Sequence, residues 1–294
     1  MKKKRGSWIY LILGIMLFSL ITVSALPLIG SVVEGEEFAR NSNNETIAFT
    51  KAELAMLEAE ASGYQKVLER EPNNETALNG LLEIRLQQKD LEGAIAPLEK
   101  LAKLHPQQTE YAILLAQAKQ QLLDYEGAAA VYNDVLTEHP GDIYALSGIT
   151  NLYLVQDLPE KAIALLKKTI QLKSEDSPVA TGTTRALDPS SSVASSSIDR
   201  EAVELLLGDL YTNQERYEEA IALYDEVAKA NTDDFRPILA KALVYEKQGD
   251  LTAAKPFLEK AYVAAPAAYK DRIGDEMERI VEGIKATEKV PNEE

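Results

Sequence analysis

The spacing of apolar and small residues repeats every 34 positions along most of the chain. With residue 75 as position 1, five blocks share one register: 75–108, 109–142, 143–176, 201–234 and 235–268. Within each block, apolar residues recur three and four positions apart in two stretches, which predicts two amphipathic helices. A 34-residue helix–turn–helix period predicts an all-α array of stacked helix pairs.

Position 20 of the block is the most uniform position. It is alanine every time, at Ala94, Ala128, Ala162, Ala220 and Ala254. A side chain this small allows two antiparallel helices to approach closely. Position 8 is also mostly small, and position 24 alternates between Leu and Tyr, which predicts a large core residue there. Asn74, Asp142 and Asp234 precede first helices and are predicted N-caps.

These residues resemble the tetratricopeptide repeat family. The match is best in the fourth block, at Leu207, Gly208, Tyr211, Ala220 and Tyr224. The resemblance implies a right-handed superhelical solenoid of antiparallel helix pairs. It also implies that the chain binds other proteins rather than catalysing a reaction, because stacked repeats build a continuous surface.

The patterns on either side of the repeats complete a predicted domain organisation. Residues 46–72 and 269–286 each carry one amphipathic helical pattern, which is typical of the helices that cover the ends of a solenoid. The predicted segments are a basic cluster with a transmembrane signal-anchor (1–33), a tether (34–46), a capping helix with three repeats (47–176), a disordered insertion rich in Ser and Thr (177–200), two repeats with a capping helix (201–286) and a disordered tail (287–294).

The N-terminal segment predicts export of the repeats. Lys2, Lys3, Lys4 and Arg5 precede an uncharged run, and the apolar stretch over 8–33 is long enough to cross a bilayer. The basic end should stay in the cytoplasm or stroma, which places the repeats in the periplasm or thylakoid lumen. The alternative is a signal peptide cleaved near Ala25, which also exports the repeats.

Composition excludes several classes of function. The formal net charge is −16, and residues 34–294 carry 27 basic and 47 acidic groups, so nucleic acid is an unfavourable partner. The chain has no cysteine, two histidines and no Gly-rich phosphate loop. We therefore expect no catalytic centre, no metal or cofactor site and no small-molecule substrate.

In the family that the chain resembles, the first helix of each repeat lines the concave face. Positions 2, 5, 9 and 13 would point into it. The candidate residues for binding a peptide there are Asn79, Glu83, Gln117, Gln121, Tyr144, Asn151, Asp209 and Asn213. An apolar stretch near Leu205, Leu239 and Leu243 adjoins them. Glu83 and Glu110 would repel a carboxylate, which argues against a receptor for chaperone tails.

The sequence favours a membrane-tethered scaffold that holds a protein or peptide during assembly or maintenance of a membrane complex. Residues 64–78 and 97–106 are similar to the tetratricopeptide proteins of cyanobacteria and chloroplasts, including the SLOW GREEN type. That similarity implies a role near photosynthetic membranes. The alternative is a structural subunit of an envelope or secretion assembly.

Overall fold

The computed structural model describes residues 50–172 and 198–288. These residues form twelve α-helices and no β-strand. In chain order the helices are α1 Lys51–Arg70, α2 Glu75–Gln87, α3 Leu91–Leu104, α4 Thr109–Gln121, α5 Tyr125–Glu138, α6 Ile143–Val155, α7 Pro159–Gln171, α8 Arg200–Asn213, α9 Tyr217–Ala230, α10 Arg236–Lys247, α11 Leu251–Ala264 and α12 Ala267–Glu288.

The helices belong to two compact units. The first ends at Leu104 and contains α1–α3, and the second begins at His105 and contains α4–α12. In the second unit the two helices of every block pack against each other, and each first helix also packs against the next, α4 on α6, α6 on α8 and α8 on α10. The predicted all-α array of helix pairs is confirmed within each unit, while the right-handed superhelix stays a prediction.

The alanines of position 20 are buried in the core between paired helices. All five have no exposed surface. Ala128 shares a core cluster with Ala116 at position 8 of the same block, and Ala254 shares one with Ala242 in the same way. Two small side chains therefore face each other across the helix pair. A larger group at either position would force the helices apart.

Each first helix ends in the same backbone turn. Position 15 has a positive φ in all five blocks, at Lys89 (57°), Leu123 (63°), Asp157 (58°), Glu215 (58°) and Gly249 (81°). The N–H of the next residue then donates to a carbonyl five residues earlier, for example Asp124 to Lys119 O at 2.9 Å. This is a Schellman motif, which normally has glycine at the left-handed residue. Only the last block supplies it.

The residue after the left-handed turn starts the second helix. The side chains of Asp90, Asp124 and Asp250 each accept a hydrogen bond from the backbone N–H three residues on, at 2.8 to 2.9 Å. The predicted N-caps Asn74 and Asp142 are confirmed for first helices.

The predicted N-cap at Asp234 is wrong, because the N-cap of α10 is Phe235 and no side chain caps it. Asp234 instead accepts from Arg236 N at 2.9 Å and forms an ion pair with the Arg236 guanidinium at 2.8 Å.

Lys241 interrupts the buried aliphatic residues of position 7 without leaving a buried charge. Its side chain is 13% exposed, and its Nζ lies 2.7 Å from Asp225 Oδ1 and 4.6 Å from the centre of the Phe257 ring. The aliphatic stem fills the core position while the ammonium pairs with a carboxylate at the edge. The repeat therefore continues through a residue that breaks its sequence pattern.

The repeat packing also continues across the insertion. Leu166 on α7 and Val203 on α8 belong to one core cluster, and Ile198 packs against it. Asp199 caps α8 by accepting from Ala202 N at 3.1 Å. The last three residues of the predicted insertion thus belong to the folded unit, and 173–197 lie outside the described residues.

The predicted anchor (8–33) and tether (34–46) also lie outside the described residues. Of the predicted tail (287–294), residues 287 and 288 belong to helix α12, and the rest lies outside the described residues. Within 50–172 and 198–288, no helix combines the length and the apolar character needed to cross a bilayer.

Glycine at the left-handed turn should stabilise the repeats. Leu123→Gly relieves a backbone conformation that costs a non-glycine residue about 1–2 kcal/mol, partly offset by the greater freedom of glycine in the unfolded chain. We expect a gain of about 0.5–1 kcal/mol in the free energy of unfolding, measured by urea titration with circular dichroism. Gly249→Ala should lower it by about 1 kcal/mol. Equal effects of both substitutions would contradict this account of the turn.

Candidate functional site

A groove of about 570 Å³ opens between the first helices α8 and α10 and the C-terminal helix α12. Its wall combines large apolar side chains with five charged ones. The lining residues are Leu205, Asp209, Phe235, Arg236, Leu239, Ala240, Leu243, Tyr269, Arg272, Ile273, Asp275 and Glu276. An apolar concavity with a few placed polar groups is the usual form of a binding site.

The repeat register accounts for the apolar floor of this groove. Leu205, Leu239 and Ile273 are 34 residues apart in turn, so each occupies position 5 of its own block. Helix α12 therefore continues the row of first helices. Leu243 at position 9 of α10 extends the apolar surface and is 42% exposed. The apolar stretch predicted from sequence is thus assembled in one groove, and α12 adds a third wall.

Asp209 is the acidic residue at position 9 of α8, and a tyrosine from the neighbouring helix holds it. The hydroxyl of Tyr224 on α9 donates to Asp209 Oδ1 at 2.7 Å. The tyrosine ring passes directly over Gly208, where an added Cβ would lie 2.3 Å from Tyr224 Cε1. Glycine at this position is therefore needed for the tyrosine to reach the carboxylate.

The groove changes the acidity of both members of the pair. Asp209 is exposed to solvent at the groove wall, and partial desolvation by the neighbouring groove residues raises the pKa of its carboxyl group. The hydrogen bond from Tyr224 and the charge of Lys247 oppose that rise. Burial, together with the adjacent carboxylate, raises the pKa of Tyr224, so its hydroxyl stays a donor at all physiological pH values.

The equivalent pair in the second block is not formed. Tyr132 and Gln117 occupy positions 24 and 9 there, as Tyr224 and Asp209 do in the fourth block. Tyr132 Oη and Gln117 Oε1 are buried and have no hydrogen-bond partner among the described residues. The hydrogen bond at Asp209 is therefore a local feature of the fourth block and not a property of the repeat.

Two other charged residues of the groove wall, Arg236 and Glu276, are partly neutralised by ion pairs. The Arg236 guanidinium lies 2.8 Å from Asp234 Oδ2 and 3.8 Å from Glu201 Oε2. Glu276 is ion-paired with Arg279, whose Nη2 also lies 2.5 Å from Glu246 Oε1.

The Glu246 and Glu276 carboxyl groups lie beside each other. Burial of Glu246 and its contact with Glu276 raise the pKa of Glu246. By contrast, no ion pair forms at the Asp209 carboxylate within the described part of the chain.

The predicted site residues lie on several different helices of both units. Asn79 and Glu83 lie on α2 in the first unit, where the Asn79 amide donates to Glu75 O at 2.9 Å. In the second unit, Gln121 lies on α4, Tyr144 and Asn151 on α6, and Asp209 and Asn213 on α8. Of the eight candidates, the groove wall includes Asp209 alone.

Two of these residues have local roles that sequence reasoning did not predict. Gln117 is only 5% exposed because α4 packs directly against α6, so its side chain belongs to the core and not to the binding surface. Asn213 Oδ1 accepts from Lys247 Nζ at 3.0 Å and links the ends of α8 and α10. Tyr144, in contrast, is 52% exposed, as a surface contact requires.

The residues that sequence reasoning missed come mostly from α12. Tyr269, Arg272, Asp275 and Glu276 line the groove, but the 269–286 pattern predicted only a helix that covers an apolar face. The available signal was the 34-residue step from Leu239 to Ile273, which places α12 in the register of a first helix.

Comparison with known proteins supports the repeat assignment. Residues 59–109 and 205–269 match the family model of the tetratricopeptide repeat, and the second match spans α8 to α11 and the start of α12. No curated protein matches the chain.

Solved structures with a similar fold include a tetratricopeptide repeat protein from Parabacteroides merdae, with 18% identity over 81% of this chain and 88% of that one, at a TM-score of 0.47. Yeast Tom70 has 14% identity over 79% of this chain and 44% of its own, at 0.49. YrrB, described as having an unusual peptide-binding site, has 13% identity over 74% of this chain and 99% of its own, at a TM-score of 0.36.

The two tyrosines of position 24 should respond oppositely to removal of the hydroxyl. Tyr224→Phe leaves the Asp209 carboxylate without its donor, and we expect a loss of about 1–2 kcal/mol in the free energy of unfolding. Tyr132→Phe removes a buried hydroxyl that has no partner among the described residues, and we expect no loss or a gain of up to about 1 kcal/mol. Chemical denaturation of the full chain measures both, and similar losses would contradict the assigned hydrogen bond.

Neutralising Asp209 should stabilise the fold at neutral pH. A carboxyl group whose pKa is higher in the folded than in the unfolded state favours folding below its unfolded pKa. That advantage is lost as pH rises through the folded pKa. Asp209→Asn keeps an acceptor for Tyr224 and removes this loss. We expect the difference in unfolding free energy, variant minus wild type, to grow as the pH rises above about 4, the pKa of an unfolded aspartate. A constant difference would show that the pKa of Asp209 is not raised.

Proposed function

We propose that this chain is a protein-interaction scaffold that binds a peptide segment of another protein in the groove between α8, α10 and α12. The observation that supports this most directly is the row of position-5 residues, Leu205, Leu239 and Ile273, beside the carboxylate of Asp209. Apolar side chains supply the free energy of contact, and a fixed polar group supplies orientation. Tetratricopeptide repeats mediate binding of proteins or peptides, which agrees with this reading.

The proposal extends to where the scaffold acts. Residues 8–33 would tether it to a membrane, with the N-terminus in the cytoplasm or stroma and the repeats in the periplasm or thylakoid lumen. Cleavage near Ala25 would instead release the repeats into the same compartment. Its task there would be assembly or maintenance of a membrane complex, including one of the photosynthetic apparatus. The support is the charge and apolar pattern of the first 33 residues.

A second candidate function is a structural subunit of an envelope or secretion assembly. The same anchor and repeats favour it, and the acidic surface would keep such a subunit soluble before it is incorporated. Stable co-purification at fixed stoichiometry would favour this function, whereas exchange of the bound protein on the time scale of purification would favour the scaffold.

Site-specific crosslinking in cells that produce the full chain tests the proposed groove. A photoreactive residue that replaces Leu243 lies on the groove wall. The control replaces Lys168, which is exposed on α7, the second helix of its repeat. We expect one discrete adduct from Leu243 and none from Lys168, with mass spectrometry to identify the attached peptide. A third position at Asn151 reports whether the contact continues along α6. Equal adducts from Leu243 and Lys168, or none from Leu243, would contradict binding in the groove.

A further inference from the structure

Asp209 differs from the other charged residues of the groove in how it is held. Its Oδ1 accepts the Tyr224 hydroxyl at 2.7 Å, and Tyr224 is itself 1% exposed and fixed by packing over Gly208. The carboxylate therefore has a defined position. Within the described residues it takes part in no ion pair, and Lys247 acts on it from a longer distance while bonded to Asn213.

Aliphatic side chains share the groove with this carboxylate, which is itself exposed to solvent. Leu205 lies one helical turn before it on α8, and Leu239 and Leu243 line the same groove from α10. A carboxylate among aliphatic side chains loses part of its hydration, which is unfavourable unless an opposite charge approaches. A side chain with an aliphatic stem and a cationic end would satisfy both kinds of surface at once.

Charge complementarity favours a cation over an anion at this place. The groove wall carries three carboxylates, Asp209, Asp275 and Glu276, against two arginines, Arg236 and Arg272. The Arg236 guanidinium is also held by Asp234. Residues 34–294 as a whole carry 20 more acidic than basic groups, 47 against 27, so an acidic ligand would be repelled on approach.

We propose that the groove selects a peptide segment in which a lysine or arginine lies within one helical turn of two large aliphatic residues. The cation pairs with Asp209, and the aliphatic residues pack on Leu205, Leu239 and Leu243. This inference rests on the proposed function, because it names the chemistry of the ligand of that same groove. It assigns Asp209 as the residue that determines specificity and Tyr224 as the residue that positions it.

Peptide selection on the immobilised full chain tests this inference. Three libraries of 14-residue peptides share the same random choice of Leu, Ile, Phe and Met at the flanking apolar positions and differ only at the centre, which is lysine, norleucine or glutamate. Norleucine keeps most of the aliphatic stem of lysine and removes the charge. We expect the lysine library to be enriched, and its selected peptides to bind about 10- to 100-fold more tightly than their norleucine counterparts in fluorescence anisotropy.

Two variants with the same change of charge separate the role of Asp209 from general electrostatics. Asp209→Asn keeps an acceptor for the Tyr224 hydroxyl and should abolish the preference for lysine over norleucine. Asp271→Asn alters an exposed residue of α12 outside the groove wall and should leave the preference intact. Circular dichroism of both variants confirms that they fold.

The outcomes distinguish this inference from the proposed function. Two results would overturn the inference while still supporting peptide binding in the groove. The first is binding that Leu239→Asp abolishes but that shows no preference for lysine. The second is a preference for lysine that survives Asp209→Asn. Failure of all three libraries to bind wild type, or binding unaffected by Leu239→Asp, would contradict the inference and the groove together.

Discussion

The close contact between paired helices at position 20 is the constraint on which the rest of the second unit depends. An alanine with no exposed surface stands there in every block, and in two blocks a second alanine faces it from position 8. Any larger side chain would widen the pair and shift the next first helix. In the second unit α8 and α10 lie side by side. Leu205 and Leu239 then fall in one row, and Ile273 on α12 continues it.

The groove also contains a carboxylate, Asp209, whose surroundings disfavour its charged form. The surroundings of the Asp209 carboxyl group raise its pKa, and the hydrogen bond from the Tyr224 hydroxyl opposes that rise. Residues that reduce stability in a concave, accessible place are typical of binding sites, because a ligand recovers the lost interaction. The second block carries the same tyrosine without the carboxylate, at Tyr132, and there the hydroxyl is simply buried.

The sequence predicted the features that recur in every repeat. It did not predict the features that depend on a single residue and its neighbours. The helix pairs and the Ala register followed from the period. The left-handed turn at Leu123 did not, because a Schellman motif without glycine leaves no signal in composition. The burial of Gln117 depends on how closely α4 meets α6, and Lys241 is compatible with the core only because Asp225 lies beside it. The third wall of the groove needed the fold, since α12 serves both as a terminal helix and as a first helix.

Amide hydrogen exchange of the full chain, with and without a saturating amount of the selected lysine peptide, tests the central claim most directly. That claim is that one face, formed by first helices in register, binds the ligand. The account predicts slower exchange in α8, α10 and the first three turns of α12, with no change in α5, α7 or α11. Slower exchange confined to the second helices, or spread evenly over the second unit, would contradict it.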